Sequence, residues 1–499
     1  MQIQSNWRHW SLLVIGLGLT ILFGAGTSHG QQAQPNVLVI SIDDLNDWVG
    51  CLGGHPQVQT PNLDALAARG RLFRNAHCQS PLCNPSRTSV MTGLRPTTTG
   101  IYGLAPWFRQ LDEFRDVVTW PQRFQQSGYQ TLTYGKTYHD AYPPADGRKP
   151  GAEFDVWGYH GSGGNPRPER KIINMQGGHP LMDWGAFPEF DHQQDDYRVA
   201  SEAIEGLKAA AGSAKPFMLH VGFRRPHVPC FAPQPWFDLY PEESLVMPPI
   251  LENDRDDTPR FSWYLHWDLP EPRLDWLRQA GEDHSLVRAY LASTSFVDAM
   301  VGRMLDALQE LDLQGTTYVI LWSDHGYHLG EKLISGKNSL WERSTHVPLI
   351  IAGPGIEPGA SFEPVELLDM YPTACELCQI EIPEHVEGLS LVPQLKLPNQ
   401  ARQRPAITSH NPGNHAVRDR RWRFIRYADG SEELYDVLAD PHEWTNLASV
   451  EKYQKQKQEL AKWLPASEHP LAPGSQHRTL TWDGKQAVWE GKPIEDSGN

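Results

Sequence analysis

The carboxylates Asp43, Asp44 and Asp324 each follow an apolar run, the first two after Asn36-Val37-Leu38-Val39-Ile40-Ser41-Ile42 and the third after Thr317 to Trp322 and a serine. Brought to one place they make a hard-oxygen donor set that suits Ca²⁺ better than a borderline metal. Other apolar runs end in cations or imidazoles. Gly135-Lys136-Thr137-Tyr138-His139 follows Gln130 to Tyr134, Arg224-Arg225-Pro226-His227 follows Pro216 to Val221, and Lys337 lies beyond Asp324. A metal flanked by several positive charges is what binding a tetrahedral oxyanion requires. The most informative segment lies between these groups: Cys83-Asn84-Pro85-Ser86-Arg87, a C-x-P-S-R pattern, with Thr88-Ser89 and Thr92-Gly93-Leu94-Arg95-Pro96 close behind.

Residues so far apart in sequence meet only if the runs preceding them are neighbouring strands. The run at Asn36–Ile42 is continuously apolar, as expected of a buried parallel strand. Gln130–Tyr134, Pro216–Val221, Thr317–Trp322 and Val347–Ile351 are further strand candidates. They alternate with helical stretches: Pro61 to Gly70, closed by that glycine, then Tyr197–Ala211 and Leu286–Leu311. This order implies an α/β domain with a large, mostly parallel sheet flanked by helices, and ligands in such folds gather at the carboxyl ends of the strands. Tyr142–Pro188 and Met247–Pro272 lack periodicity, and loops of that length either shape a site or are surface insertions. Beyond residue 400, Ala416-Val417-Arg418, Trp422–Tyr427 and Glu433–Asp436 are separated by turn residues and predict a small antiparallel sheet. A helix over Glu451–Leu464 and a polar tail follow it. The organisation expected is a leader over 1–30, a catalytic domain over 31–400 and a C-terminal subdomain over 401–499.

At 499 residues, with 39% hydrophobic residues and 18 tryptophans, the chain has ample material for buried cores. Its net charge of −16 argues against nucleic acid or an anionic membrane surface as partner, so an anionic substrate needs a local basic cluster. Trp7-Arg8-His9, the apolar run Leu12–Phe23 and small residues up to Gly30 form a secretory signal peptide. The run is shorter than the ~20 residues of a spanning helix, so no stable membrane partner is expected. Export implies a periplasmic, extracellular or lysosome-like location, where disulfides are permitted. Apart from Cys83, five cysteines remain, Cys51, Cys78, Cys230, Cys375 and Cys378, so at least one stays unpaired. The Cys375/Cys378 pair reads as structural, a lone C-x-x-C being weak evidence for redox or zinc chemistry.

With these motifs in view, the chain resembles type I sulfatases of the alkaline-phosphatase-like superfamily, and iduronate-2-sulfatases in particular. The likeness rests on the Cys83 to Arg87 motif with Thr92-Gly93-Leu94-Arg95-Pro96, on Gly135 to His139, on Val221-Gly222-Phe223 with Pro226-His227-Val228-Pro229, on Ser323 to Gly326 with Leu329-Gly330-Glu331, and on Thr345-His346-Val347-Pro348. It implies that a maturation enzyme converts Cys83 to formylglycine. It also implies one Ca²⁺ held by Asp43, Asp44, Asp324 and His325, with an oxygen of residue 83 completing the shell. Arg87 and His139 would contact the formylglycine hydroxyls, while Lys136, His227 and Lys337 would hold the sulfate, and His227 or Lys337 would protonate the leaving oxygen. Most sulfatases have Asn where this chain has His325, whereas iduronate-2-sulfatases have His. Imidazole is a poor ligand for hard Ca²⁺, so His325 is either a weak ligand or a donor from behind the ligands.

The substrate implied is a sulfated carbohydrate, specifically the 2-O-sulfate of a uronic acid in a glycosaminoglycan or similar polysaccharide. A uronate carboxylate needs its own cation, for which Arg109, Arg224 and Arg225 are the candidates. Trp107, Tyr138, Tyr327 and Trp341 are candidates to stack on sugar rings. The competing reading within the superfamily is a phosphoester or phosphonate hydrolase, because phosphoryl and sulfuryl groups are nearly isosteric. A non-catalytic carbohydrate-binding relative is disfavoured because every site position is filled.

Overall fold

The computed structural model describes residues 34–139, 152–161, 166–175 and 178–495. The leader expected over 1–30 lies outside them. The described residues from 35 onward form one compact unit.

Eight strands make the central sheet: β1 (Asn36–Asp43), β2 (Arg71–Phe73), β3 (Gln130–Gly135), β4 (Val156–Trp157), β5 (Phe217–Pro226), β6 (Thr317–Ser323), β7 (Leu349–Ala352) and β8 (Gly359–Ser361). Their order across the sheet is β8-β2-β7-β6-β1-β5-β3-β4. All are parallel except β7, which runs antiparallel to both β6 and β2. Apolar patterning placed a strand here without giving its direction. The connection from β6 to β7 closes on itself at the carboxyl edge, where Gly326 N–H donates to Ser344 O, so β7 re-enters the sheet from that edge.

Central position explains the unbroken apolar run of β1, which pairs with β5 on one side and β6 on the other. Its side chains alternate between two cores. Leu38, Ile40 and Ile42 join a cluster with the helices α1 (Pro61–Ala68), α3 (Asp195–Ala211) and α4 (Asp283–Glu310). Val37 and Val39 face the opposite layer, where α2 (Cys83–Thr92) contributes Val90 and Met91 and α5 (Met370–Leu377) contributes Tyr371 and Ala374. Each fully buried aliphatic side chain here contributes roughly 1.5–3 kcal/mol.

The C-terminal region holds a four-stranded antiparallel sheet, β9 (Ala406–Ser409), β10 (His415–Arg418), β11 (Trp422–Arg426) and β12 (Glu432–Asp436), with α6 (Gln454–Ala461) packed on it through Leu460. The tail is more than polar coil. Leu480–Trp482, Ala487–Trp489 and Lys492–Pro493 pair as a three-stranded sheet, and Leu480 and Trp489 enter a core with Trp341 and Tyr435. The segment before it runs back to the catalytic edge, bridging Gln476 to Ala105. No helix among the described residues is long and apolar enough to cross a membrane.

Candidate active site

At the carboxyl end of β1 the chain turns through Asp44, whose φ of 63° is a left-handed conformation rare for a residue with a Cβ. The turn is held from β6: Asp44 N–H donates to Asp324 Oδ1 at 3.1 Å and Leu45 N–H to Ser323 Oγ at 3.0 Å. Helix α2 docks on the same strand end, where the Ser86 hydroxyl donates to the Asp324 carbonyl at 2.6 Å. Cys83 opens α2, and Arg87, one turn on, reaches between the strands. Its guanidinium donates to Asp324 at 2.8 Å, Asp43 at 3.3 Å and the Lys136 carbonyl at 2.5 Å. The expected catalytic arginine thus locks Asp43, Asp324 and the Lys136 loop into one frame.

Lys136 depends on two glycines. A Cβ on Gly222 would lie 1.9 Å from the Lys136 carbonyl oxygen, and one on Gly135, at φ 70°, would lie 2.0 Å from that of Gly222. Their close approach turns the chain so that Lys136 Nζ meets Asp43 Oδ2 at 2.5 Å. Lys337 Nζ lies 2.6 Å from Asp44 Oδ1 and 3.2 Å from Cys83 Sγ. His325 Nε2 lies 3.3 Å from the same sulfur and 3.4 Å from Asp44 Oδ1, while its Nδ1 faces the Gly326 carbonyl. His227 Nδ1–H donates to the Val228 carbonyl, and His139 hydrogen-bonds Cys83.

Charge is balanced tightly here. Burial alone would raise the Cys83 thiol, but Lys136, Lys337 and His325 hold it well below the ordinary thiol range. Burial raises Asp324 to about 6 against the pull of Arg87. It opposes charge on His325, yet the adjacent Asp324 lifts that imidazole to about 9.

All ten residues expected from the sequence therefore meet at one sheet edge. The Sulfatase family matches residues 35–380, and the family described as N-sulphoglucosamine sulphohydrolase, C-terminal, matches residues 330–469. A sulfatase of Formosa agariphila is 40% identical, the match covering 94% of this chain and 92% of that protein. The chain belongs to the sulfatase family. Choline-sulfatase of Rhizobium meliloti is 30% identical over 83% of this chain and 82% of that protein, and iduronate 2-sulfatase of Homo sapiens is 30% identical over 74% of each. Among solved structures, a phosphonate monoester hydrolase from Silicibacter pomeroyi shares the fold at TM-score 0.70 and 23% identity, covering 86% of this chain and 94% of that one. A 2-O GAG sulfatase does so at TM-score 0.64 and 24% identity, covering 86% and 91%.

Sulfatase membership implies a metal ion and a formylglycine made from the cysteine, for which Cys83 Sγ stands here as the precursor. The residues fit both. Ligand atoms of Asp43, Cys83, Asp324 and His325 lie within 4.8 Å of one another, and so do those of Asp43, Asp44, Cys83 and His227. Asp44 Oδ2 is buried without a hydrogen-bond partner, a cost that a cation would remove.

Above this sulfatase centre opens a cleft of about 790 Å³ whose floor holds Cys83, His139, His227 and Lys337. Its walls include described parts of both long aperiodic loops, among them Met182 and Leu269. Several finer expectations are corrected. Arg109, Arg224 and Arg225 are not among the residues lining the cleft. Arg109 is spent on Glu153, Gln122 and two carbonyls, and the buried Arg225 on the His227 and Pro229 carbonyls. Trp107, Tyr138, Tyr327 and Trp341 are core residues, and Trp276 is the aromatic side chain on the cleft wall. All six cysteines are free, and Cys375 and Cys378 are buried in the core. Sequence reasoning missed Glu271, Trp276 and Arg478, which lie in no motif.

Proposed function

We propose that this sulfatase removes the 2-O-sulfate of a uronic acid in a glycosaminoglycan or similar polysaccharide, using formylglycine made from Cys83 and one Ca²⁺. The observation that carries the reaction class is the convergence of three carboxylates and two lysines on Cys83. When present, formylglycine supplies a hydrated-aldehyde nucleophile and the cation supplies positive charge against the ester oxygens.

The chain's own residues supply the rest. Lys136 and Lys337 flank Cys83 and neutralise a dianion-like transition state. His227 has Nδ1–H engaged by a carbonyl, so its Nε2 is the atom left to exchange a proton with the leaving oxygen, a role Lys337 could share by position. His139, bonded to residue 83, takes the proton released when sulfate departs. Arg87 positions the carboxylates. Asp43, Asp44 and Asp324 would hold the Ca²⁺, with His325 beside them as a weak ligand or a hydrogen-bond donor. The reading includes export through residues 1–30 and maturation by a formylglycine-generating enzyme.

The test begins with the mass of the peptide bearing residue 83, which shows whether the cysteine is converted. Matured enzyme is then given a 2-O-sulfated uronate disaccharide, a 6-O-sulfated glucosamine, choline sulfate, aryl sulfate and an aryl phosphonate. The first should have the highest kcat/KM. Preference for another sulfate ester removes the uronate assignment, and preference for the phosphonate removes the sulfate assignment.

A further inference from the structure

One wall of the cleft carries groups that the sulfate chemistry does not use. Glu271, only 4% exposed, lines the cleft with Cys83, Lys337 and Arg478. Its Oε1 accepts from Arg478 Nη2 at 2.9 Å, and its Oε2 is buried without a hydrogen-bond partner. A buried carboxylate oxygen with no donor is costly in a finished protein unless a donor arrives from elsewhere. Arg478 is held just as firmly, through Nη1 on Asn338 Oδ1 at 2.7 Å and its own N–H on Glu490 at 2.6 Å. Asn338 adjoins Lys337, which touches Cys83 Sγ, so this pair sits beside the reacting centre.

The construction looks dedicated. His477 and Arg478 are consecutive non-glycine residues at φ 62° and 63°, a strained arrangement that persists only where surroundings impose it. Glu271 packs over Gly336, where a Cβ would lie 2.7 Å from its Cγ. Ser335, next to that glycine, donates through its hydroxyl to the Pro272 carbonyl at 2.5 Å and fixes the loop carrying Glu271. Arg478 lies beyond residue 469, outside both family matches. The cleft lining also carries Asp268 and Glu490, the latter bonded to the Arg478 N–H, so acidic groups offset Arg478 here, which suits a neutral polar ligand better than a second anion.

From this geometry we infer that Glu271 and Arg478 form a sugar-hydroxyl subsite, in which Glu271 Oε2 accepts a hydrogen bond from a ring hydroxyl neighbouring the sulfate ester and Arg478 donates to an adjacent sugar oxygen. Trp276 offers the apolar wall for the ring. The inference rests on the sulfatase reading above and deepens it, since it names what the leaving group must present.

The test uses the full-length matured enzyme and two probes, a 2-O-sulfated uronate disaccharide and an aryl sulfate that carries no hydroxyl. Glu271→Gln is nearly isosteric and keeps an acceptor for Arg478, but turns the free oxygen into a donor. It should lower the ratio of kcat/KM for disaccharide over aryl sulfate by about 10- to 100-fold, with Arg478→Lys lowering it in the same direction. An unchanged ratio in folded variants, whether both rates fall together or neither falls, overturns the subsite. Calorimetry of the unsulfated disaccharide supplies an independent readout, with weaker binding to Glu271→Gln expected and equal affinity counting against the inference. Wild-type enzyme that turns over neither probe sinks the uronate-2-sulfatase reading instead, and the calorimetric comparison still decides the subsite.

Discussion

Cys83 gathers more function than any other side chain, and its neighbours show why chemistry must replace it. A serine there would keep the shape and lack the second hydroxyl needed to expel sulfate. Cys83→Ser should therefore release at most one equivalent of alcohol per site, seen as a burst without steady turnover, and sustained turnover would count against the formylglycine mechanism. The sequence made this residue legible because C-x-P-S-R is a local signal. Asp43, Asp44 and Asp324 were legible for a different reason, since each ends an apolar run that can only be a buried strand. Arg225 shows the limit. It stands two residues before His227 in sequence yet donates to two main-chain carbonyls, whereas Arg478 reaches the cleft from a segment with no motif. Which arginine faces substrate is decided by tertiary approach, and one-dimensional spacing carries no record of that.

At the scale of elements, helix α2 must hold Cys83 against strand ends at one terminus and stay anchored at the other. Gly93, at φ 73°, closes the helix, and Arg95 just beyond it makes a two-pronged bond to Glu366 at 2.7 Å for each prong. This gives the Thr92-Gly93-Leu94-Arg95-Pro96 motif a structural task. Burial alone would raise Glu366, but Arg95 and Arg404 outweigh it and bring the carboxyl to about 2, below its ordinary value. A depressed carboxylate stabilises the fold above its unfolded pKa, and that contribution fades as pH falls from about 4.5 toward 2. Its neighbour Asp369 is shifted upward, first by burial, so wild-type acid unfolding mixes both groups. Glu366→Gln separates them. Urea titrations should show a loss of roughly 3 kcal/mol at neutral pH, narrowing as pH drops below 4, and a gap constant with pH would remove the ion pair from this role. Strand β7 belongs to this scale too, because a short apolar run specifies burial and leaves direction to the connection that precedes it.

For the molecule as a whole, the metal should act on folding as well as on catalysis. The three carboxylates lie at the carboxyl ends of β1 and β6, which are neighbours at the middle of the sheet, so an ion held by them would tie these strands together. An ion that binds only the native state stabilises it by about 1.4 kcal/mol for each tenfold rise in free concentration above Kd. Chelation should lower the melting temperature of wild-type chain, Ca²⁺ should restore it more fully than Mg²⁺, and Asp44→Asn should abolish the response. A melting temperature indifferent to chelator and to added Ca²⁺ would leave the carboxylates without a metal. The C-terminal sheets complete the molecule by packing against Trp341, four residues past Lys337. The sequence showed the antiparallel strands through their alternation and turn residues. It concealed the final sheet, because its strands are only two or three residues long, and only their pairing reveals Leu480 and Trp489 as buried.

The return of the tail to the cleft has a consequence in time. Cys83 leaves the ribosome hundreds of residues ahead of Arg478, and at ~5–20 residues per second the interval is roughly 20 to 80 seconds. For the first part of it β6 has not yet been made, and throughout it the tail is missing from above the cysteine, which is 1% exposed once the chain has folded. The order of synthesis thus sets a deadline for oxidation of Cys83, and a chain that misses it carries its precursor thiol beneath Lys337 for as long as it stays folded.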